Sequence, residues 1–164
     1  MRVYIPATFG MLKQLDNDGL IHARNGWAFA ATPALTEFFT SGDEEEIELV
    51  AFDDAALASL RLLAIGDEED FPYRRVVISA DVDASLEPEM GESTVKLAGP
   101  VALEDVAAIH IDIAEAEDAT RRATELIDEA DLGDQDAELA VGDAQDNYLA
   151  FYDPTELPFL IELL

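Results

Sequence analysis

The chain has 164 residues, with 37 Asp and Glu against 9 Lys and Arg, a formal net charge of −28. A surface this negative repels nucleic-acid phosphates and anionic lipid headgroups, which argues against nucleic acid and membrane as partners and leaves cations or a basic protein. Cys is absent, which removes disulfides, thiolate catalysis and cysteine metal sites. At 49% apolar residues the chain can nonetheless bury a core, and its length fits a single domain over 1–164.

Residues 2–5 alternate polar and apolar as a half-buried strand does, with Pro6 as the expected end. Thr8 is placed to cap a short helix carrying Met11, Leu12 and Leu15, stopped by Asn17-Asp18-Gly19. Residues 20–24 and 27–31 flank Asn25-Gly26, the preferred pair for a two-residue turn, and read as an N-terminal hairpin. Thr32-Pro33 fits an N-cap followed by proline at the first helical position. Asp43-x-x-Glu46 fits a capping box, with its acids where a helix start favours negative charge. One long helix over about 43–65 follows, with Ile47, Val50, Leu57, Leu60 and Leu63 or Ala64 as its apolar stripe and Gly66 as its stop.

Residues 66–72 read as an acidic loop, and 75–82 as a strand apolar enough to be central in a sheet. Residues 84–93 read as a loop, and 94–97 as a strand closed by Gly99-Pro100. Over 106–113, Ile109, Ile111 and Ile113 alternate with His110 and Asp112. Residues 115–130 have helical periodicity, 128–146 form a second acidic loop with a short helix near 136–145, and 148–152 is the last strand. Strand, helix, strand suggests a C-terminal β-α-β unit with a parallel crossover. The expected class is α+β: one compact domain with a mixed sheet, an N-terminal hairpin and one long helix. The apolar tail from Pro154 should dock on the body, because Phe159-Leu160-Ile161 exposed would invite aggregation.

Spread over the roughly 8,000 Å² of a folded monomer of this mass, the net charge leaves about 17 Å between charges. That is about two Debye lengths at physiological salt, so even spreading confers little beyond solubility. The acids cluster in sequence, however. Asp43 to Glu46 has a local task at a helix start. Asp67, Glu68, Glu69 and Asp70 form a second knot, and a third runs from Asp128 to Asp146, including Asp134, Asp136 and Glu138, with no basic residue among them.

His110 and Asp112 project to one face of their strand, where a carboxylate beside an imidazole could orient a general base; a polar strand face explains them equally. Asp81 and Asp83 share a face at a strand end, where carboxylates can hold Mg²⁺ or simply be solvated. Asp134-x-Asp136-x-Glu138 resembles a calcium loop but has Leu139 where the loop needs glycine and Gln145 where it needs glutamate. No metal site and no cofactor are expected. Ser79 lacks the glycines of a hydrolase elbow. Arg74 and Arg75 are expected to pair with acids at the surface, and Trp27, Tyr148 and Tyr152 are amphipathic enough to anchor an interface or to pack with one polar tip in water.

Met1-Arg-Val-Tyr-Ile-Pro6, Thr32-Pro33-Ala34-Leu35, Leu60-Arg61-Leu62-Leu63-Ala64, Arg75-Val76-Val77, Leu97-Ala98-Gly99-Pro100-Val101 and Val106-Ala107-Ala108-Ile109-His110 resemble landmarks of a small actinobacterial family, a domain of unknown function. The resemblance spans nearly the whole chain. It implies a cytoplasmic actinobacterial protein and transfers no catalytic residue. With no apolar leader and no apolar run of the ~20 residues a membrane helix needs, the residues agree with a cytoplasmic location.

Three functions remain open. One is a non-catalytic binding or regulatory domain whose acids engage a basic protein. In the second, the acidity is an adaptation to the host or its salt, in keeping with only two lysines, Lys13 and Lys96. The third is an enzyme with a site near His110, Asp112, Asp81 and Asp83. A homodimer through a sheet edge or the apolar tail is possible, and nothing in the sequence argues for it.

Overall fold

The computed structural model describes residues 1–39, 41–66 and 72–163. The acidic knot Asp67 to Asp70 lies outside these residues. The chain folds as a single α+β domain around a seven-stranded sheet. The strands are β1 (Arg2–Ala7), β3 (Trp27–Phe29), β4 (Val76–Asp81), β5 (Ala84–Leu86), β6 (Thr94–Leu97), β8 (Val106–Asp112) and β9 (Leu149–Tyr152). Their order is β5-β6-β3-β1-β4-β8-β9, and every pair is antiparallel. β2 (Leu20–Ile21) and β7 (Val101–Ala102) form a separate two-stranded ribbon. Against one sheet face lie α1 (Phe9–Asp18), α6 (Leu157–Glu162) and this ribbon, around Val3, Ile5, Leu12, Ile78, Ile109 and Leu157. Against the other lie α2 (Pro33–Phe38) and α3 (Glu44–Ile65), with α4 (Glu117–Asp131) and α5 (Gln135–Gln145) packed on α3.

The three N-cap positions operate as read. Thr8 accepts the Met11 N–H, Thr32 the Leu35 N–H and Asp43 the Glu46 N–H, each at a helix start. Gly66 closes α3 at φ 88°, a left-handed conformation that glycine takes without steric cost. The tail docks through Leu157 and Leu160, while Phe159 stays exposed.

Several expectations are corrected. Asn25 and Gly26 both have positive φ, as the turn chemistry requires, yet there is no hairpin: β2 pairs with β7, and β3 lies between β1 and β6. The turn conformation is local, whereas strand pairing is chosen by which edges the core brings together. The consecutive hairpin is instead β5–β6, so 84–86 is an edge strand rather than loop. The sheet is antiparallel rather than mixed, and β8 and β9 do not form a parallel crossover. The short helix expected near 136–145 is present as α5, after α4; the two pack against each other, so the chain returns to the sheet with its direction reversed. Residues 128–146 are accordingly the end of α4, a short turn and α5, not an acidic loop.

Pro6 does not end β1. Val82 donates to Met1 at one end of the β1–β4 ladder, so the odd residues of β1 face β4 and Pro6 faces β3. There β1 is paired only through Tyr4 and Phe29, and no ladder bond is lost to the missing N–H. At Ala7 and Val76 the ladder is completed by α3: the buried Ser59 hydroxyl donates to the Ala7 carbonyl at 2.7 Å and accepts the Val76 N–H at 2.9 Å.

Candidate functional site

His110 and Asp112 lie on the α3 side of β8, but each has its own partners. Asp112 and Arg75 form an ion pair whose side chains are 0% and 1% exposed. Arg75 Nε and Nη2 donate to Asp112 Oδ2 and Oδ1 at 2.9 and 2.7 Å, and the Arg75 backbone N–H adds a bond of 2.7 Å to Oδ2. Thr120 of α4 donates to the same carboxylate at 3.3 Å. The guanidinium also donates to Gln145 Oε1 of α5 at 2.8 Å and to the Asn147 carbonyl at 2.9 Å. Arg75 therefore does not make the surface pair expected of it. With its donors and acceptors matched, this network clamps the α4–α5 pair to the end of the sheet and offers no group for chemistry.

His110 Nε2 lies 2.8 Å from Ser79 Oγ on neighbouring β4. The imidazole meets Phe52 of α3 and Phe151 of β9 edge-on, with centroids 4.8 and 5.9 Å away. Burial, helped by the positive charge of Arg2, lowers its pKa to about 4, so the ring is neutral at ordinary pH. A serine beside a neutral histidine has the makings of a nucleophile and its base. Here Ser79 is buried, and the pair joins two strands beneath α3. The antiparallel register of β4 and β8 creates this contact, which residue spacing alone does not reveal.

Asp81 is exposed and pairs with Arg2 at 2.7 and 3.1 Å, which holds its carboxyl below the usual range. Asp83 is exposed beyond the end of β4. Asp134 caps α5, accepting the Ala137 N–H at 2.9 Å, so Asp134, Asp136 and Glu138 open a helix rather than wrap an ion. Among the described residues no three His, Asp or Glu converge as metal ligands.

The structure does assemble an acidic surface. Asp128, Glu129, Asp131, Asp134, Asp136, Glu138, Asp143 and Asp146 are all exposed on α4, α5 and their turns. Arg61 reaches across from α3 to Asp131, with contacts of 2.5 and 3.0 Å. The sequence after Arg122 contains no further Lys or Arg. Leu132, Leu139 and Tyr148 stand in this surface at 88%, 67% and 68% exposure. Alongside runs the outer edge of β9. The Asp112 backbone N–H donates to the Arg75 carbonyl, so alternate β8 residues face β4 and the remainder face β9, which leaves the backbone of Leu149 and Phe151 pointing outward.

Sequence reasoning missed a second feature, an apolar cleft of about 350 Å³ between α3 and the β1–β3–β6 part of the sheet. Trp27, Phe29, Ala58 and Leu62 form its walls, with Arg24 and Arg61 among its lining residues. Lys96 sits over the Trp27 indole, 4.3 Å from its centroid, and donates to the Asn25 carbonyl at 2.7 Å. These residues are scattered from position 24 to position 96, and only the sheet order gathers them.

No described helix is long and apolar enough to cross a membrane. A family model, described as a family of unknown function (DUF6912), matches residues 1–161, and the chain belongs to that family. No curated protein and no solved structure matches it.

Proposed function

We propose that this member of the family is a non-catalytic, cytoplasmic binding or regulatory domain whose α4–α5 surface engages a basic protein partner. The carrying observation is the exposed row from Asp128 to Asp146, in which Asp131 pairs with Arg61, and in which Leu132, Leu139 and Tyr148 are set among the acids. Clustered carboxylates steer a basic partner and accelerate its encounter, whereas exposed apolar and aromatic side chains supply the desolvated contacts that hold it. The Arg75–Asp112 clamp supports this reading, since it fixes the helical pair rigidly to the sheet.

The test is capture from host lysate at low and high salt, using two variants of equal charge. Asp136→Asn, Asp143→Asn and Asp146→Asn neutralise the proposed surface. Asp16→Asn, Asp18→Asn and Glu162→Gln neutralise the α1–α6 layer. The expected outcome is a basic protein retained at low salt, lost at high salt and lost with the first triple variant only. Equal loss with both variants would show that bulk charge alone is responsible.

That second outcome would favour the other reading, in which the acidity is adaptation to host or solvent; the scarcity of lysine supports it. An enzyme built around His110 is a third reading, resting on the Ser79 contact. Loss of a measured activity in Ser79→Ala, with folding intact, would favour it.

A further inference from the structure

We propose that the outer edge of β9 is a strand-addition site for an extended basic segment of a protein partner, which extends the seven-stranded sheet by one strand. The inference rests on the reading of α4–α5 as a surface for a basic protein, and it names the part of that partner that binds. β9 ends the sheet and, among the described residues, pairs only with β8. Its ladder bonds use Ala150 and Tyr152, so the N–H and C=O groups of Leu149 and Phe151 face away from the sheet. Among the described residues these outward groups meet no other hydrogen-bonding partner. Such an edge holds an incoming strand through main-chain hydrogen bonds.

The edge lacks the features that usually block such pairing. Leu149-Ala150-Phe151-Tyr152 contains no proline and no charged residue, and no bulge breaks its register with β8. β5, at the opposite edge, has three residues against four and runs directly into Glu87-Pro88. Arg75 Nη2 donates to the Asn147 carbonyl, which fixes the chain just before β9 and so pre-organises the edge. Phe151 is 66% exposed on the α3 side of the strand, its ring edge-on to His110, and offers aromatic surface to an apolar residue of the added strand.

Charge selects the occupant. Exposed acids stand at both ends of β9, Asp143 and Asp146 before it and Asp153 and Glu156 after it, and the sequence holds no Lys or Arg beyond Arg122. A segment with alternating apolar residues at its centre and Lys or Arg at its ends matches this edge in both backbone and charge. A second copy of the chain matches it poorly. Antiparallel pairing of two β9 strands brings the acids at the start of one toward those at the end of the other, between chains of net charge −28.

The probe is a short capped peptide with Val and Thr alternating at its centre and lysines at each end, titrated into the 164-residue chain and followed by amide hydrogen exchange in NMR. Peptide should slow exchange of the Leu149 and Phe151 N–H groups by about tenfold or more, and leave Ala84 and Leu86 on the β5 edge unchanged. Peptides N-methylated at alternate residues keep the same charge. One of the two sets loses the N–H groups that face β9 and should bind about tenfold more weakly, whereas the other should bind as the parent does. Equal binding of all three peptides, or no slowing at Leu149 and Phe151, would overturn strand addition. Should that peptide still bind, with binding lost at high salt and in the Asp136→Asn, Asp143→Asn, Asp146→Asn variant, the basic-partner reading stands and the edge assignment alone falls. Slowing that survives both high salt and this variant would overturn the choice of a basic segment. Slow exchange at these two amides without peptide would overturn the proposal as well: independent of protein concentration it means an edge already covered, and rising with concentration it assigns the edge to a second copy.

Discussion

His110 and Asp112 stand two residues apart on β8, and burial treats them differently. His110 is kept neutral, its pKa lowered from 6.5 to about 4. In the unfolded chain it takes up a proton as pH falls through about 6.5, whereas in the folded chain it does not until about 4. The stability it contributes is therefore complete above pH 6.5 and lost progressively down to pH 4, a change of about 3 kcal/mol. Urea denaturation of wild type and His110→Gln across this window should show a flatter pH dependence in the variant; parallel curves would refute the assignment. Asp112 stays next to Arg75 in a site closed to water. Asp112→Ala should cost about 3–5 kcal/mol, because it strands a buried guanidinium, and a double variant replacing both residues by apolar ones should recover much of that loss. Neither outcome was legible in the sequence. The shared strand face of the two residues could be read from their spacing, but the residues opposite them come from β4, α4 and α5.

At the scale of the element, α3 shows why hydropathy located the helix but only part of its buried face: Ile47, Leu60 and Leu63 of the expected stripe are buried. The expected stripe included Val50 and Leu57, which are only half-buried. The fully buried line is Ile47, Ala51, Ala55 and Ser59, four residues apart. Alanine carries a weak hydropathy signal, yet its small side chain lets a helix approach a sheet closely, and Ser59 must reach the β1–β4 ladder to bridge it. Ala55→Leu should therefore cost about 1–3 kcal/mol through overpacking, measured by urea denaturation, although it raises helix hydrophobicity. A neutral or stabilising effect would show that α3 can move outward. Capping was the most legible part of α1, α2 and α3, since Thr8, Thr32 and Asp43 act on N–H groups three residues away. Strand direction was the least legible: a second helix between β8 and β9 turns parallel into antiparallel.

For the whole molecule, 8922 Å² shared among 28 net charges leaves about 320 Å² for each. Charges so spaced are largely screened at physiological salt and repel one another at low salt. Raising salt from about 0.02 to about 0.5 M should raise the melting temperature, since relief of this repulsion outweighs the weakening of exposed pairs such as Arg2–Asp81. A fall would show that the ion pairs dominate. The uneven part of the field, the acids on the α4–α5 surface, is what the proposed function draws on.

The sequence by itself determined the α+β class, the position of the long helix, the central place of β4 and the acidity of the last third of the chain. These follow from periodicity, caps and composition, which act over a few residues. Strand order, the direction of β9, the burial of Arg75 with Asp112 and the gathering of Arg24, Trp27, Arg61 and Lys96 were decided only by the tertiary structure. Each depends on contacts between residues far apart in the chain, whose pairing is selected by burying one common core.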